Sequence, residues 1–115
     1  MTDEEAIRLA IQEAKLALEH EDVPIGALVI VDNEVIASRH NERQLTGDPT
    51  AHAEVLALRE AAEKLGTWHL EGATLVSTLE PCPMCAGAAI NSRITRVIFG
   101  AHDPKAGAAE TLYNL

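Results

Sequence analysis

Aromatic residues are nearly absent from this chain of 115 residues, with one Trp, one Tyr and one Phe. A protein that holds single-stranded nucleic acid mainly by stacking bases needs more platforms than that. Basic residues are also few: 9 Lys and Arg face 18 Asp and Glu, a formal net charge of -9. Residues 1–22 contain seven acids and two bases, so -5 sits there, and the other 93 residues contribute -4. Neither part is a generic polyanion binder, so contact with nucleic acid must be local and shape-driven. There are two cysteines, which excludes a disulfide-rich scaffold. Apolar runs such as Gly26–Val31 are far too short to span a bilayer. The opening MTDEEAIRLA is acidic where a secretory signal would be basic. These absences predict one globular domain with no membrane span, in a reducing, cytoplasmic setting.

The pattern that remains alternates helices and strands. Residues 3–20 repeat Ala6, Ile7, Ala10, Ile11, Ala14 and Leu18 at helical spacing, with Thr2 or Asp3 as cap. Residues 25–31 read as a central strand and 34–39 as its hairpin partner across Asp32-Asn33. A loop 40–49 ends in Asp48-Pro49, a cap and first-turn pair for a helix from about 50 to 65 that Gly66 closes. Strands at 73–78 and 96–99 flank a helix at 83–92, and a weakly patterned tail follows from 101. The order α, β, β, α, β, α, β predicts an α/β fold, a three-layer α/β/α sandwich on a mixed sheet. The second and third strands, and the third and fourth, should be parallel pairs with right-handed crossovers. Ligands in such sheets bind beyond the strand ends where helices begin.

Two stretches at helix starts carry chemistry. In Thr50-Ala-His-Ala-Glu54, a His and a Glu stand two apart among small residues. In Glu80-Pro-Cys-Pro-Met-Cys85, the only two cysteines stand three apart, so they share one helix face and can grip one metal ion. His52 can supply a third ligand. Three protein ligands leave a fourth position open, as catalytic zinc sites do and structural ones do not. Glu54 is better suited to moving protons than to ligation, because two thiolates already balance a divalent ion. His52 and Glu54 can share a pocket only at the helix start, since residues two apart diverge along a regular helix. Alone, Cys-x-x-Cys also fits a thiol redox pair or structural zinc. Together, His-x-Glu followed by Pro-Cys-x-x-Cys is the signature of the zinc nucleobase deaminases.

The chain resembles the bacterial tRNA-specific adenosine deaminases of the cytidine deaminase-like fold. The resemblance rests on Asp22-Val-Pro-Ile-Gly-Ala27, Asn41, the stretch from Gly47 to Glu54, that from Thr78 to Ala88, Ser92-Arg-Ile94, and that from Val97 to Ala108. It implies Zn2+ held by His52, Cys82 and Cys85, with Glu54 as proton shuttle. It implies that Asn41 bonds the flipped adenine or its ribose, and that the Ala53 N–H and Leu79 carbonyl hold the base edge and the leaving amine. Val23, Pro24 and Ile25 would wall the pocket, and Asp103 and Lys105 would lie near the RNA backbone. The implied reaction is adenosine to inosine at the anticodon wobble position of tRNA, or in single-stranded DNA for an engineered chain, and the implied assembly is a homodimer. Family members continue past the position of Leu115 with a further strand and a C-terminal helix. Residues 1–115 are therefore expected to form the deaminase domain without those elements, leaving the fourth strand as an edge. Two other readings fit parts of the sequence: a deaminase of free bases or nucleosides, which the acidity suits, and a non-catalytic zinc-stabilised scaffold.

Overall fold

The computed structural model describes residues 1–115. Thr2 caps the first helix, α1 (Asp3–Ala14), by accepting from the Glu5 N–H at 3.1 Å. Asp3, Glu4 and Glu5 in the first turn suit the positive end of the helix dipole. The buried face of α1 is Ala6, Ala10 and Ala14. Small residues are required because the helix lies directly on a strand: a Cβ on Gly26 would sit 2.1 Å from the Ala10 carbonyl oxygen. The expected helix to residue 20 tightens after Ala14 into a 3-10 segment, Lys15–His20, which Glu21 ends in the left-handed region at φ 61°. Ile11 and Leu18, read from their spacing as core, are 43% and 60% exposed, because the contact face is only one alanine row wide.

Strands β1 (Gly26–Val31) and β2 (Glu34–His40) form the expected antiparallel hairpin. Asp32 and Asn33 both take positive φ, as a two-residue hairpin turn of this hand demands. A single helical turn, α2 (Arg43–Thr46), occupies part of the stretch read as loop. Helix α3 (Ala53–Leu65) begins three residues later than expected and ends at Gly66 in the left-handed region. Strand β3 (Thr74–Ser77), helix α4 (Pro83–Asn91) and strand β4 (Arg96–Phe99) follow.

The sheet order is β2-β1-β3-β4. β3 and β4 are parallel, as expected for strands joined by a helix. β2 and β3 are not a pair: β1 lies between them, antiparallel to both, and this corrects the expectation of a second parallel pair. β1 is the most apolar strand, and the centre is where both of its faces are covered. Ala27 and Val29 pack with Leu75 under α3 and α4, while Leu28 and Val76 face Ala6 and Ala10 of α1. Helices thus cover both faces, and the three-layer α/β sandwich stands. β4 is an edge strand. No helix is long and apolar enough to cross a membrane.

Candidate active site

The start of α3 answers the problem of a His and a Glu two apart. His52 is the N-cap residue, with extended backbone (φ -74°, ψ 146°), and Glu54 is already in the first turn. The change of backbone at the cap lets both side chains meet at the helix end. Asp48 does not cap α3. It accepts from the Thr50 N–H and hydroxyl, both at 2.8 Å, and so shapes the turn before the helix. Cys82 is likewise the extended N-cap of α4, Pro83 takes the first helical position, and Cys85 is fully buried in the first turn.

The two helix starts bring three donors together. Nδ1 of His52 lies 3.6 Å from Sγ of Cys82 and 3.5 Å from Sγ of Cys85. All three donor atoms lie within 4.8 Å of one another. A tetrahedral ion with bonds of about 2.3 Å to sulfur and about 2.0–2.1 Å to nitrogen places such donors about 3.5 Å apart. The cluster can therefore hold one metal ion without rearrangement. The Cys85 thiol beside it holds Cys82 down at about 5, while that pairing and burial push Cys85 upward. Glu54 is 4% exposed, and its Oε1 is a buried oxygen with no partner in the protein. Burial raises its carboxyl to about 7. An orphaned carboxylate oxygen at the end of a helix is costly in a packed core, and it fits a position reserved for a ligand.

The other expected site residues have mixed fates. Asn41 is buried, and its Oδ1 accepts from the Ala53 N–H at 2.8 Å. That N–H is thus paired within the protein, through the side chain of another expected site residue. The Leu79 carbonyl accepts from Ser77 Oγ at 2.7 Å and keeps a second lone pair. Val23 and Pro24 are exposed and Ile25 is partly buried, at the approach to β1. The Asp103 carboxylate accepts from the Lys105 and Ala106 N–H groups at 2.9 and 3.3 Å, so it shapes its own loop. Lys105 is exposed.

Sequence reading passed over Glu80 as anything beyond part of a motif. It is 2% exposed and accepts from five donors: the N–H groups of Asp103, Ala109, Glu110 and Thr111, and the Thr111 hydroxyl. A Cβ on Gly107 would sit 2.4 Å from Glu80 Oε1, so the tail wraps tightly around this carboxylate. Only its place between a strand end and Pro81-Cys82 signals the role.

A buried glutamate set against a His-Cys-Cys cluster able to bind a metal, at paired helix starts on a three-layer sandwich, defines a hydrolytic nucleobase deaminase. The family model of the MafB19-like deaminases matches residues 1–114. The tRNA-specific adenosine deaminase of Bacillus subtilis is 55% identical over 113 residues, covering 98% of this chain and 70% of that protein. A structure from work on A-to-I editing by tRNA:A34 deaminases at the wobble position of transfer RNA superposes with a TM-score of 0.90. It is 47% identical, over 94% of this chain and 78% of that one. Guanine deaminase of Bacillus subtilis superposes at 0.85 with 30% identity, over 100% of this chain and 84% of that one. The chain belongs to the family of the tRNA-specific adenosine deaminases and is an enzyme of the deaminase fold.

Proposed function

We propose that this enzyme converts adenosine to inosine in tRNA at the anticodon wobble position, using one zinc ion. The observation that carries the reading is the orphaned Glu54 carboxylate beside three converging metal donors. His52, Cys82 and Cys85 hold the ion, whose thiolate and imidazole ligands suit zinc. Zinc, when bound, supplies Lewis acidity toward the attacking water. Glu54 takes one proton from that water and delivers it to N1 of the purine, then carries the second, from the hydroxyl added at C6, to the departing amine. Water adds at C6 and ammonia leaves, so the 6-amino group becomes the 6-oxo group of inosine. The Leu79 carbonyl has a free lone pair for the amine. Asn41 has its oxygen committed to Ala53, and its Nδ2 remains as a donor to the flipped nucleoside. Val23, Pro24 and Ile25 flank this end of the sheet as the pocket wall, and exposed Lys105 meets the RNA backbone. Asp103 serves that surface by shaping its loop. A homodimer belongs to this reading, supported by the exposed Met84 and Ile90 on α4 beside the metal cluster, and sedimentation equilibrium tests it.

The deciding experiment offers the zinc-loaded chain an adenosine-containing anticodon stem-loop, a single-stranded DNA, and free nucleosides and bases. Inosine in the stem-loop, absent with Glu54→Ala, is the expected result. Turnover confined to free bases or nucleosides replaces it with the small-molecule reading, and no turnover of any of them overturns catalysis by this chain.

A further inference from the structure

A second cluster of titratable groups lies away from the metal donors, where α1, the 3-10 segment and the end of β2 meet. Four side chains stand in a row. Glu13 Oε2 is 2.5 Å from Nδ1 of His40, Nε2 of His40 is 3.1 Å from Nε2 of His20, and Nδ1 of His20 is 2.6 Å from Oδ2 of Asp22. All four are largely buried, with side-chain exposures between 3% and 16%.

Each of the three contacts joins two heavy atoms at hydrogen-bond distance, so each needs one proton. An ionised carboxylate brings none, and a neutral imidazole brings one. Two neutral histidines therefore supply two protons for three contacts. If both Nδ1–H groups point at their carboxylates, the two Nε2 atoms face each other as bare acceptors at 3.1 Å and repel. Moving either ring proton to Nε2 only transfers the conflict to a carboxylate contact. The carboxylates are poor places for the missing proton. Asp22 also accepts from the Gln44 and Leu45 N–H groups, and Glu13 accepts from Ser38 Oγ at 2.7 Å. The proton belongs between the rings.

We propose that His20 and His40 share one bound proton, and that this protonated pair positions the substrate side of the active site. The pair ties α1 to two segments. Asp22 immediately precedes Val23-Pro24-Ile25 and grips the start of α2, and His40 immediately precedes Asn41, which bonds Ala53 between His52 and Glu54. The importance of these segments for substrate rests on the roles proposed above for Asn41 and residues 23–25; the proton count does not depend on them. The charged groups facing the pair are Glu13 from α1, Asp22 from the turn before β1, and Glu42 from the β2–α2 loop, whose Oε2 is 4.0 Å from His40 Nε2. Arg39 of β2 is directed to Glu42 and to Glu60 of α3. One proton leaves the row of four at -1, against -2 without it. Losing that proton at higher pH removes the bond between the rings and sets two acceptors against each other.

The test uses the full zinc-loaded chain and the variant His20→Gln, whose neutral amide donates to His40 Nε2 without an added proton. Nitrogen-15 spectra of the ring nitrogens are expected to show both rings protonated at Nδ1, one further proton shared by the Nε2 atoms, and a single coupled titration. Rings that are both neutral with bare Nε2 atoms overturn the proposal, as does a second bound metal ion per chain that His20→Gln releases. In kinetics on the adenosine stem-loop, KM of the unaltered chain should rise several-fold with pH as the shared proton is lost. KM of His20→Gln should stay flat, and kcat should follow one profile in both. Identical KM profiles overturn the positioning role. If the stem-loop is not turned over at all, the proposed function fails while the nitrogen-15 spectra still decide the shared proton.

Discussion

At the scale of single residues, the proposed function gives Glu54 and Asn41 separable jobs. Glu54→Gln removes the proton carrier and leaves the three metal donors in place. Its kcat should fall by about 10²–10⁴-fold with metal content unchanged, checked by inosine formation and metal analysis on one preparation. Cys85→Ala should lose the metal and melt at lower temperature, because it removes a ligand and opens a buried site. Asn41 holds a buried N–H through one atom and offers a ligand the other. Asn41→Ala leaves the Ala53 N–H unpaired and should cost about 1–3 kcal/mol in a denaturant melt. Asn41→Asp keeps the acceptor but buries a charge, so it should recover only part of that loss and show a raised KM on the stem-loop. The convergence of His52, Cys82 and Cys85 beside Glu54 could be anticipated in sequence because each pair stands within a few residues at the start of a helix. Asn41's hold on Ala53 was not, because nothing local relates residues 41 and 53. Glu80 escaped notice for the same reason: its donors lie 23 to 31 residues downstream.

At the scale of elements, the site depends on where two helix starts are held. α1 reaches the sheet only because Gly26 has no side chain. Gly26→Ala must push α1 off β1, and its cost should be at or above the usual 1–3 kcal/mol or so for overpacking, read from chemical denaturation. Glu80 fixes the tail to the strand end that leads into Cys82. In Glu80→Gln one acceptor becomes a donor facing other donors. Residues 103–115 should then exchange amide hydrogens faster and be cut sooner by protease, while α3 stays protected. Most element types and the antiparallel β1–β2 hairpin could be read from periodicity and turn residues. The 3-10 segment, the late start of α3 and the insertion of β1 between β2 and β3 could not. Each is set by packing against an element distant in the chain.

At the scale of the whole molecule, the acidic composition becomes a stability term. Burial alone would raise the Asp22 and Glu80 carboxyls. The Gln44 and Leu45 amides with His20 outweigh it and lower the Asp22 carboxyl, and the Thr111 hydroxyl with the Glu110, Thr111 and Asp103 amides holds Glu80 well below the usual carboxylate range. A carboxyl whose folded pKa is depressed stabilises the fold above its unfolded value, near 4, and loses that contribution as pH falls toward the folded value. Thermal melts should therefore show stability declining steeply below about pH 4, and less steeply in Glu80→Gln once its lower starting stability is subtracted. The -9 charge also implies few phosphate contacts, in keeping with recognition by pocket shape at the helix starts. The sequence by itself determined the chemistry and the class of fold. The His-x-Glu and Cys-x-x-Cys halves of the site, the Thr2 cap and most of the apolar periods are each written over a few residues, where spacing translates directly into geometry. Only the tertiary structure decided strand order, the acceptor that claims the Ala53 N–H, the carboxylate that gathers the tail and the facing of His20 with His40. Those are meetings of residues far apart in the chain, and they exist only once burial has brought the elements together.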